Sequence, residues 1–243
     1  MPEGPSIVIL KEAVESFAGQ FVKAITGNSK IDQSRLLNKQ VIDFKSWGKH
    51  FLICFDGFTV RVHFLLFGSY LVNERKDRPV RLSIEFENGE LNLYACAIRI
   101  IEDDLDTVYE WGADVMSGAW DERKAMKKIR LLPNVMVCDV LLNQDIFAGV
   151  GNIIKNEVLY RIKVHPLSLC GKLPRAKLKL LVEEARRYSF DFYEWKKKYE
   201  LRKHWLAHAK KICTRCNISL TKEVTGRTER RSFFCNKCQK LYR

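Results

Sequence analysis

The first twenty residues alternate apolar and polar positions with the period of an α-helix. Ile7, Leu10, Val14 and Phe17 are three or four residues apart, so they share one face, and charged residues lie between them. Gly19 follows the last of them and predicts the end of the helix. We expect the buried face of this helix to hold the preceding residues in a fixed place.

Between about residues 21 and 101 the pattern changes to short apolar or alternating runs, which are typical of β-strands. Asp56-Gly57 and Asn88-Gly89 lie between pairs of these runs and favour tight hairpin turns. The predicted strands include residues 41–44, 51–55, 58–63 and 82–86. Antiparallel strands joined in this way predict a β-sandwich or a barrel.

The alternation fades in WGADVMSGAWDERKAMK, residues 111–127, which we interpret as a junction between domains. Helical spacing then returns, and the predicted helices are residues 121–131, 135–142, 151 or 152–161, and 175–188. The chain from Lys210 onward is basic, rich in cysteine and typical of a two-stranded ribbon. The predicted fold class is therefore α+β, with domains at residues 1–115, 116–208 and 209–243.

The formal net charge is +13 and the sequence pI is about 9.4, whereas the hydrophobic fraction of 47% is that of a folded protein. A folded basic protein favours a polyanionic partner, and nucleic acid is the first candidate. The sequence has neither a long apolar run nor a secretory signal. We therefore expect a cytoplasmic protein, associated with the nucleoid in a bacterium, without a membrane partner or a nucleotide cofactor.

Four of the eight cysteines form two Cys-x2-Cys pairs, which are separated by eighteen residues. Each pair can chelate from one tight turn, and four thiolates close a tetrahedral shell, so the spacing predicts one structural zinc ion. The predicted ligands are Cys213, Cys216, Cys235 and Cys238. We expect the other four to pack in the core as small apolar residues: Cys54, Cys96, Cys138 and Cys170.

The chain begins with Met1-Pro2-Glu3-Gly4-Pro5. Removal of Met1 leaves Pro2 as a secondary α-amine, which is uncharged far more often at neutral pH than a lysine amine. Such an amine can attack an aldehyde-like carbon and form an iminium, and Glu3 beside it can transfer the protons. The alternative is that this segment only forms a stiff entry to the first helix.

Gly149 and Gly151 interrupt an apolar helical pattern between residues 141 and 157, so the chain turns there and a helix begins near Asn152. Backbone N–H groups at a helix start, together with the Asn152 amide, can bind an anion such as a DNA phosphate. The alternative is an ordinary corner between two helices, with Asn152 as the cap.

Together these motifs resemble those of the formamidopyrimidine-DNA glycosylase and endonuclease VIII family, over nearly the whole chain. The matching motifs are Pro2-Glu3-Gly4-Pro5, Gly48-Lys49, Leu142-Asn143-Gln144 through Glu157, and the four cysteines with Arg230 five residues before Cys235. The resemblance implies an N-terminal β-sandwich with flanking helices, then a helix-two-turn-helix domain that ends in a zinc finger.

The resemblance also implies a monomeric enzyme of base-excision repair that acts on damaged double-stranded DNA. By this resemblance Pro2 attacks C1′ of the damaged nucleotide, Glu3 serves as acid and base, and Lys49 lies close to the lesion phosphate. Asn152 and Arg230 bind the same phosphate. The base is excised through a Schiff base, and the strand is then cleaved by β-elimination, with δ-elimination as a possible second step.

Two further expectations concern the lesion. The segment His63-Phe64-Leu65-Leu66-Phe67-Gly68 matches the family segment that fills the hole left by an extruded base, so Leu65, Leu66 and Phe67 are candidates; the alternative is an ordinary core strand. The purine-specific branch of the family usually carries an Asp-Pro-Arg-x-Phe-Gly segment, and a long glycine-rich loop there covers a flipped 8-oxoguanine. This sequence has no such segment, and its residues 189–212 contain no such loop. Both departures favour the endonuclease VIII branch and oxidised pyrimidines such as thymine glycol and dihydrouracil.

Two rival hypotheses stay open at this point. The first is the same chemistry on oxidised purines, such as 8-oxoguanine and formamidopyrimidines. The second is a non-catalytic zinc-ribbon protein that binds damaged DNA. The joint presence of Pro2, Glu3 and Lys49 argues against the second, because a protein that only binds DNA needs none of them.

Overall fold

The computed structural model describes residues 2–243, so the predicted removal of Met1 lies outside the described residues. The chain divides into two compact units, residues 1–109 and 110–243. Within residues 2–243, no helix combines the length and the apolar character that a bilayer crossing needs.

The N-terminal unit contains helix α1 (Gly4–Ala13) and two four-stranded antiparallel sheets. The first sheet has the order β1-β6-β7-β5, and the second has the order β2-β3-β4-β8. The strands are β1 (Ala24–Thr26), β2 (Asp43–Trp47), β3 (His50–Phe55), β4 (Phe58–His63), β5 (Ser69–Val72), β6 (Leu82–Phe86), β7 (Gly89–Tyr94) and β8 (Ala97–Ile101).

Both sheets bury their apolar faces in one core. Phe44, Phe51 and Ile53 from the second sheet and Ile84 and Leu93 from the first belong to the same buried cluster. Helix α1 packs on β2 and β3 and contributes its apolar face to that cluster. The resulting β-sandwich with a flanking helix confirms the predicted α+β class.

The C-terminal unit is helical up to residue 204 and ends in a β-hairpin. Its helices are α3 (Glu122–Arg130), α4 (Val137–Val140), α5 (Asn152–Arg161) and α6 (Arg175–Lys197), whereas the short helix α2 (Leu105–Val108) lies at the end of the N-terminal unit. Strands β9 (Thr221–Thr225) and β10 (Arg230–Phe234) pair antiparallel, and we call residues 221–234 the finger hairpin. The cysteine pairs flank this hairpin on both sides.

The turn between α4 and α5 is organised by one side chain. Gln144 donates to the carbonyls of Leu142 and Val150, and its own carbonyl oxygen accepts the N–H of Gly149. Gly149 has φ +98°, a conformation that favours glycine. The Asn-Gln and Gly-x-Gly motifs therefore fix the direction in which α5 leaves this turn.

Candidate functional site

In the N-terminal unit, the Pro2-Glu3 segment is held inside the fold. Helix α1 begins at Gly4 with Pro5 in its first turn, where the missing N–H of proline has no cost. Glu3 is fully buried, and its carbonyl oxygen accepts the backbone N–H of Ser6. This burial fixes Glu3 in the fold, whereas Pro2 beside it stays partly exposed.

Lys49 lies in the two-residue turn between β2 and β3. Gly48 precedes it with φ +55°, and Trp47 pairs with His50 across the turn. Lys49 itself is half-buried. Glu3 directly precedes α1 and Lys49 joins β2 to β3, and α1 packs on both of these strands.

Beside Lys49 is a cluster of rings that the sequence did not indicate. His50 and His63 face each other across β3 and β4 with ring centroids 5.4 Å apart, and Nδ1 of His50 lies 3.1 Å from the hydroxyl of Tyr109. Burial, and then the charge of Arg61, lowers the pKa of His50 to about 3. Burial and the charge of Lys49 lower the pKa of His63 as well. Both imidazoles are therefore neutral at pH 7.

Residues 64–68 connect β4 to β5 in a turn that we call the β4–β5 tip. The N–H of Gly68 bonds to the carbonyl of Phe64 at 2.8 Å, and a Cβ on Gly68 would lie 2.2 Å from that oxygen, so only glycine fits. Leu65, Leu66 and Phe67 are 51%, 44% and 83% exposed. The alternative expectation of an ordinary core strand is wrong here, because the tight turn points these side chains away from the core.

In the C-terminal unit, Asn152 is the first residue of α5, and the capping position is Gly151, so the expectation of a cap at Asn152 is wrong. The Asn152 amide donates to the carbonyl of Arg231 in β10, at 3.0 Å. Arg230, the preceding residue, is exposed at the start of β10. Asn152 therefore contacts the strand that carries Arg230.

Two buried residues of α5 reinforce this contact. Lys155 is fully buried, and its ammonium donates to the Arg231 carbonyl at 3.3 Å and to the Ser232 hydroxyl at 2.8 Å. Asn156 donates to the same carbonyl at 3.2 Å, and its amide oxygen accepts the N–H of Phe233 at 3.0 Å. Three side chains of α5 thus hold one peptide of the finger hairpin.

The turn of the finger hairpin is held by Asp139 of α4. Its carboxylate accepts the N–H groups of Arg227 and Thr228 and the Thr228 hydroxyl, at 3.0 to 3.1 Å. Gly226 lies so close that a Cβ there would meet a carboxylate oxygen at 2.3 Å. Sequence reasoning missed Asp139, Lys155 and Asn156. The available signal was a group of polar residues inside otherwise apolar helical stretches.

Glu157, also fully buried in α5, holds the chain that leads to the cysteines. Its carboxylate accepts the backbone N–H groups of Leu206, Ala207 and His208 at 2.8 to 3.0 Å. Hydrogen bonds from several N–H groups satisfy a buried carboxylate, which is otherwise expensive to bury. Residues 206–208 are therefore fixed although they form no helix or strand.

The four predicted cysteine ligands converge at the base of the finger hairpin. Their sulfur atoms all lie within 4.8 Å of one another, and those of Cys213 and Cys238 are 3.8 Å apart. A tetrahedral thiolate shell with metal–sulfur bonds of about 2.3 Å has sulfur atoms about 3.8 Å apart, so the cluster suits a metal ion. The Tyr160 hydroxyl of α5 lies 3.2 Å from the Cys213 sulfur and links the cluster to the helix. The other four cysteines are buried, as expected.

A sandwich with the buried Glu3 at the start of its helix, followed by a helical unit with a cysteine-clamped hairpin, defines the helix-two-turn-helix glycosylase fold. Two family models match the chain: the formamidopyrimidine-DNA glycosylase N-terminal domain at residues 1–99, and the H2TH domain of the same glycosylase at residues 112–188. The chain belongs to the formamidopyrimidine-DNA glycosylase and endonuclease VIII family, in its endonuclease VIII branch.

Among its relatives, endonuclease 8-like 3 of Xenopus laevis is 30% identical over 231 residues, which are 88% of this chain and 37% of that protein. Endonuclease 8-like 2 of Homo sapiens is 30% identical over 200 residues, which are 75% of this chain and 58% of that protein. This chain therefore spans between about a third and three fifths of the length of these relatives.

A formamidopyrimidine-DNA glycosylase of Lactococcus lactis, solved in non-covalent complex with DNA containing an abasic site, shares the fold. Its TM-score is 0.86 at 21% identity, over 98% of this chain and 99% of that one.

Proposed function

We propose that this chain is a bifunctional DNA glycosylase and AP lyase that excises oxidised bases, pyrimidines first, from double-stranded DNA. The observation that carries the proposal is the full burial of Glu3 at the start of α1, which holds Pro2 and Glu3 in one place. The family membership and the DNA complex of the Lactococcus lactis protein support it. We propose that the chain acts as a monomer and that its three predicted domains have separate roles in catalysis, DNA binding and metal binding.

In the proposed reaction Met1 is removed, and the Pro2 nitrogen attacks C1′ of the damaged nucleotide. The bond from C1′ to the base breaks, and the base leaves with the bonding electrons and takes up a proton. The proline nitrogen then loses its proton to Glu3, which passes it to O4′ as the C1′–O4′ bond breaks, so that the sugar ring opens and an iminium forms at C1′. The iminium acidifies the C2′ hydrogen, and loss of that proton expels the 3′-phosphate by β-elimination. Loss of the 5′-phosphate can follow as δ-elimination, and water then releases Pro2.

The remaining predicted residues have binding roles in this proposal. The ammonium of Lys49 attracts the lesion phosphate, while Asn152 and Arg230 bind the same phosphate from the C-terminal unit. Leu65, Leu66 and Phe67 fill the space that the extruded base leaves, which offsets part of the cost of unstacking. The four cysteines hold one zinc ion, which keeps the finger hairpin in shape.

The test is reductive trapping on DNA with an abasic site. Borohydride should convert the iminium into a stable covalent complex with protein from which Met1 has been removed, as checked by intact mass. Pro2→Gly should weaken or abolish the complex. No trapped species from Met1-free wild-type protein would favour the non-catalytic damaged-DNA-binding protein instead.

The substrate class is decided by gel analysis of product ends on duplexes that contain thymine glycol, dihydrouracil or 8-oxoguanine. We expect cleavage of the two pyrimidine lesions to exceed that of 8-oxoguanine. The reverse preference would assign oxidised purines. The phosphate left on each end distinguishes β-elimination from β,δ-elimination.

A further inference from the structure

Besides Lys49, the N-terminal unit has a cationic site next to the β4–β5 tip. Ser69 is the first residue of β5 and follows Gly68 directly. Its hydroxyl oxygen accepts a hydrogen bond from the Lys76 ammonium at 2.8 Å and another from the Arg78 guanidinium at 2.7 Å. Two positive groups of the β5–β6 loop thus converge on one small neutral side chain.

This arrangement has more donors than acceptors. The serine oxygen has two lone pairs, and one cation occupies each, so the serine O–H itself points elsewhere as a donor. The ammonium and the guanidinium keep further N–H groups. Among residues 2–243 neither Lys76 nor Arg78 forms an ion pair with a carboxylate, and Asp77 between them pairs with neither. Three donor groups around one point match the oxygen atoms of a phosphate.

The loop that carries the two cations is fixed. The buried Tyr94, which pairs with Ser69 across β5 and β7, accepts the backbone N–H of Lys76 on its hydroxyl at 3.0 Å. Its ring lies 5.4 Å from the Lys76 ammonium and 5.0 Å from the Arg78 guanidinium. The buried Asn92 donates to the carbonyl of Glu74 in the same loop. A merely solvated basic loop needs none of these contacts, so the cations are placed before any ligand binds.

We infer that Ser69, Lys76 and Arg78 form a binding site for one backbone phosphodiester of DNA. The position at the foot of the β4–β5 tip favours DNA over a free phosphate ion, because the tip presents three exposed apolar side chains that a free ion does not need. The site rests on the proposed function for its DNA partner. It holds the strand next to the place where the tip enters the base stack.

The chain offers a matched control three residues away. Arg75 belongs to the same loop, but its guanidinium already makes paired hydrogen bonds with the Glu90 carboxylate. Arg75→Gln and Arg78→Gln remove the same group and the same charge. The site predicts that only Arg78→Gln affects a specific phosphate.

The experiment measures equilibrium binding to a duplex with an uncleavable abasic analogue, in which single phosphates are replaced in turn by neutral methylphosphonates. In the wild type, one replacement near the lesion should lower the affinity about tenfold. Arg78→Gln should lower the affinity for the unmodified duplex by a similar factor, and that one replacement should then have no further effect. For Arg78→Gln, the slope of log affinity against log salt concentration should fall by about one released ion. Arg75→Gln should keep the wild-type methylphosphonate profile.

Two neutral or compensating changes complete the test. Ser69→Ala should weaken binding without a change of charge, and Ser69→Asp should occupy the site with its own carboxylate and lose as much affinity as Arg78→Gln. Thermal unfolding of each variant checks that it folds. Identical methylphosphonate profiles in the wild type and Arg78→Gln would overturn the inference.

Free phosphate is a distinct outcome. Chemical-shift changes at Lys76 and Ser69 with millimolar inorganic phosphate, without coupling to any DNA position, would assign the site to the ion and would also overturn the inference. Binding is measured on uncleavable DNA and so does not depend on the proposed chemistry. If borohydride trapping failed but Arg78→Gln still abolished the effect of the one methylphosphonate, the proposed chemistry would be refuted and the phosphate site would remain.

Discussion

The fold supports the finger hairpin and the β4–β5 tip in opposite ways. The finger hairpin is clamped at its base by four cysteines and along its length by buried polar side chains of α4 and α5. The tip has one tight backbone turn and three exposed apolar side chains. Buried polar side chains fix a backbone that must keep one geometry, whereas exposed apolar side chains indicate a surface that binds a partner.

The largest expected effect comes from the base of the finger hairpin. Cys235→Ser removes one ligand, so zinc affinity should fall by more than about 100-fold, the hairpin should lose its shape, and DNA affinity should fall with it. Metal content by mass spectrometry and DNA binding by fluorescence anisotropy measure the two effects. Cys54→Ala, at a thiol outside the cluster, should keep the metal. Undiminished DNA binding by zinc-free protein would remove the finger hairpin from the interface.

The next effect tests the side of the finger hairpin that faces α5. Lys155→Met keeps the apolar stem but removes a charged donor from the Arg231 carbonyl and the Ser232 hydroxyl, so the free energy of unfolding should fall by about 1.5 to 3 kcal/mol. Lys179→Met is the matched control, because Lys179 makes only an exposed pair with Glu183, and it should change the stability by less than about 0.5 kcal/mol. Equal denaturation midpoints for the two variants would show that the buried lysine is dispensable.

A smaller effect concerns pH and the strands below the β4–β5 tip. The pKa of His50 is about 3 in the folded protein and about 6.5 when unfolded, so the unfolded state binds the proton first, and stability falls as the pH drops below 6.5. At pH 5 the loss from His50 should be about 2 kcal/mol relative to pH 7.5. Urea unfolding at both pH values measures it. His50→Gln should flatten this dependence, and an unchanged slope in that variant would assign the acid sensitivity to other groups.

The smallest effect on stability belongs to the tip itself. Phe67→Ala removes a side chain that is 83% exposed, so the free energy of unfolding should change by less than about 0.5 kcal/mol. Affinity for lesion-containing duplex should nevertheless fall about tenfold. Leu131→Ala, which also removes an exposed apolar side chain, at 73% exposure, should leave both quantities unchanged. A large loss of stability in Phe67→Ala would mean that the tip packs against the fold.

The sequence predicted the elements that follow a local rule. Strands at 58–63 and 82–86 match their predicted bounds, because each adjoins a glycine turn. The strand predicted at 41–44 is found at Asp43–Trp47, and the helix predicted at 175–188 extends to Lys197. That extension has a tertiary cause, since Phe192 is buried and Trp195 stacks on His204, a residue that lies beyond the helix end.

The same rule holds for the site: residues grouped closely in sequence were predicted, and residues joined by long-range contacts were not. The cysteine spacing identified the metal cluster because the chelating residues are close in sequence. The contacts of Asp139, Lys155 and Asn156 with the finger hairpin join residues 75 to 89 positions apart, so no local pattern could have paired them. The inferred phosphate site was missed because β5 has only four residues, too few for a clear alternation, and the charged loop after it has no helix or strand pattern.

The Glu157 carboxylate has a consequence for local opening. Residues 206–208 lack regular structure, and such segments usually exchange their amide hydrogens quickly with solvent deuterium. Three of these amides are instead engaged with one buried carboxylate. Their protection factors should therefore approach those of α5 itself, so that this connecting segment opens only when the whole helical unit unfolds.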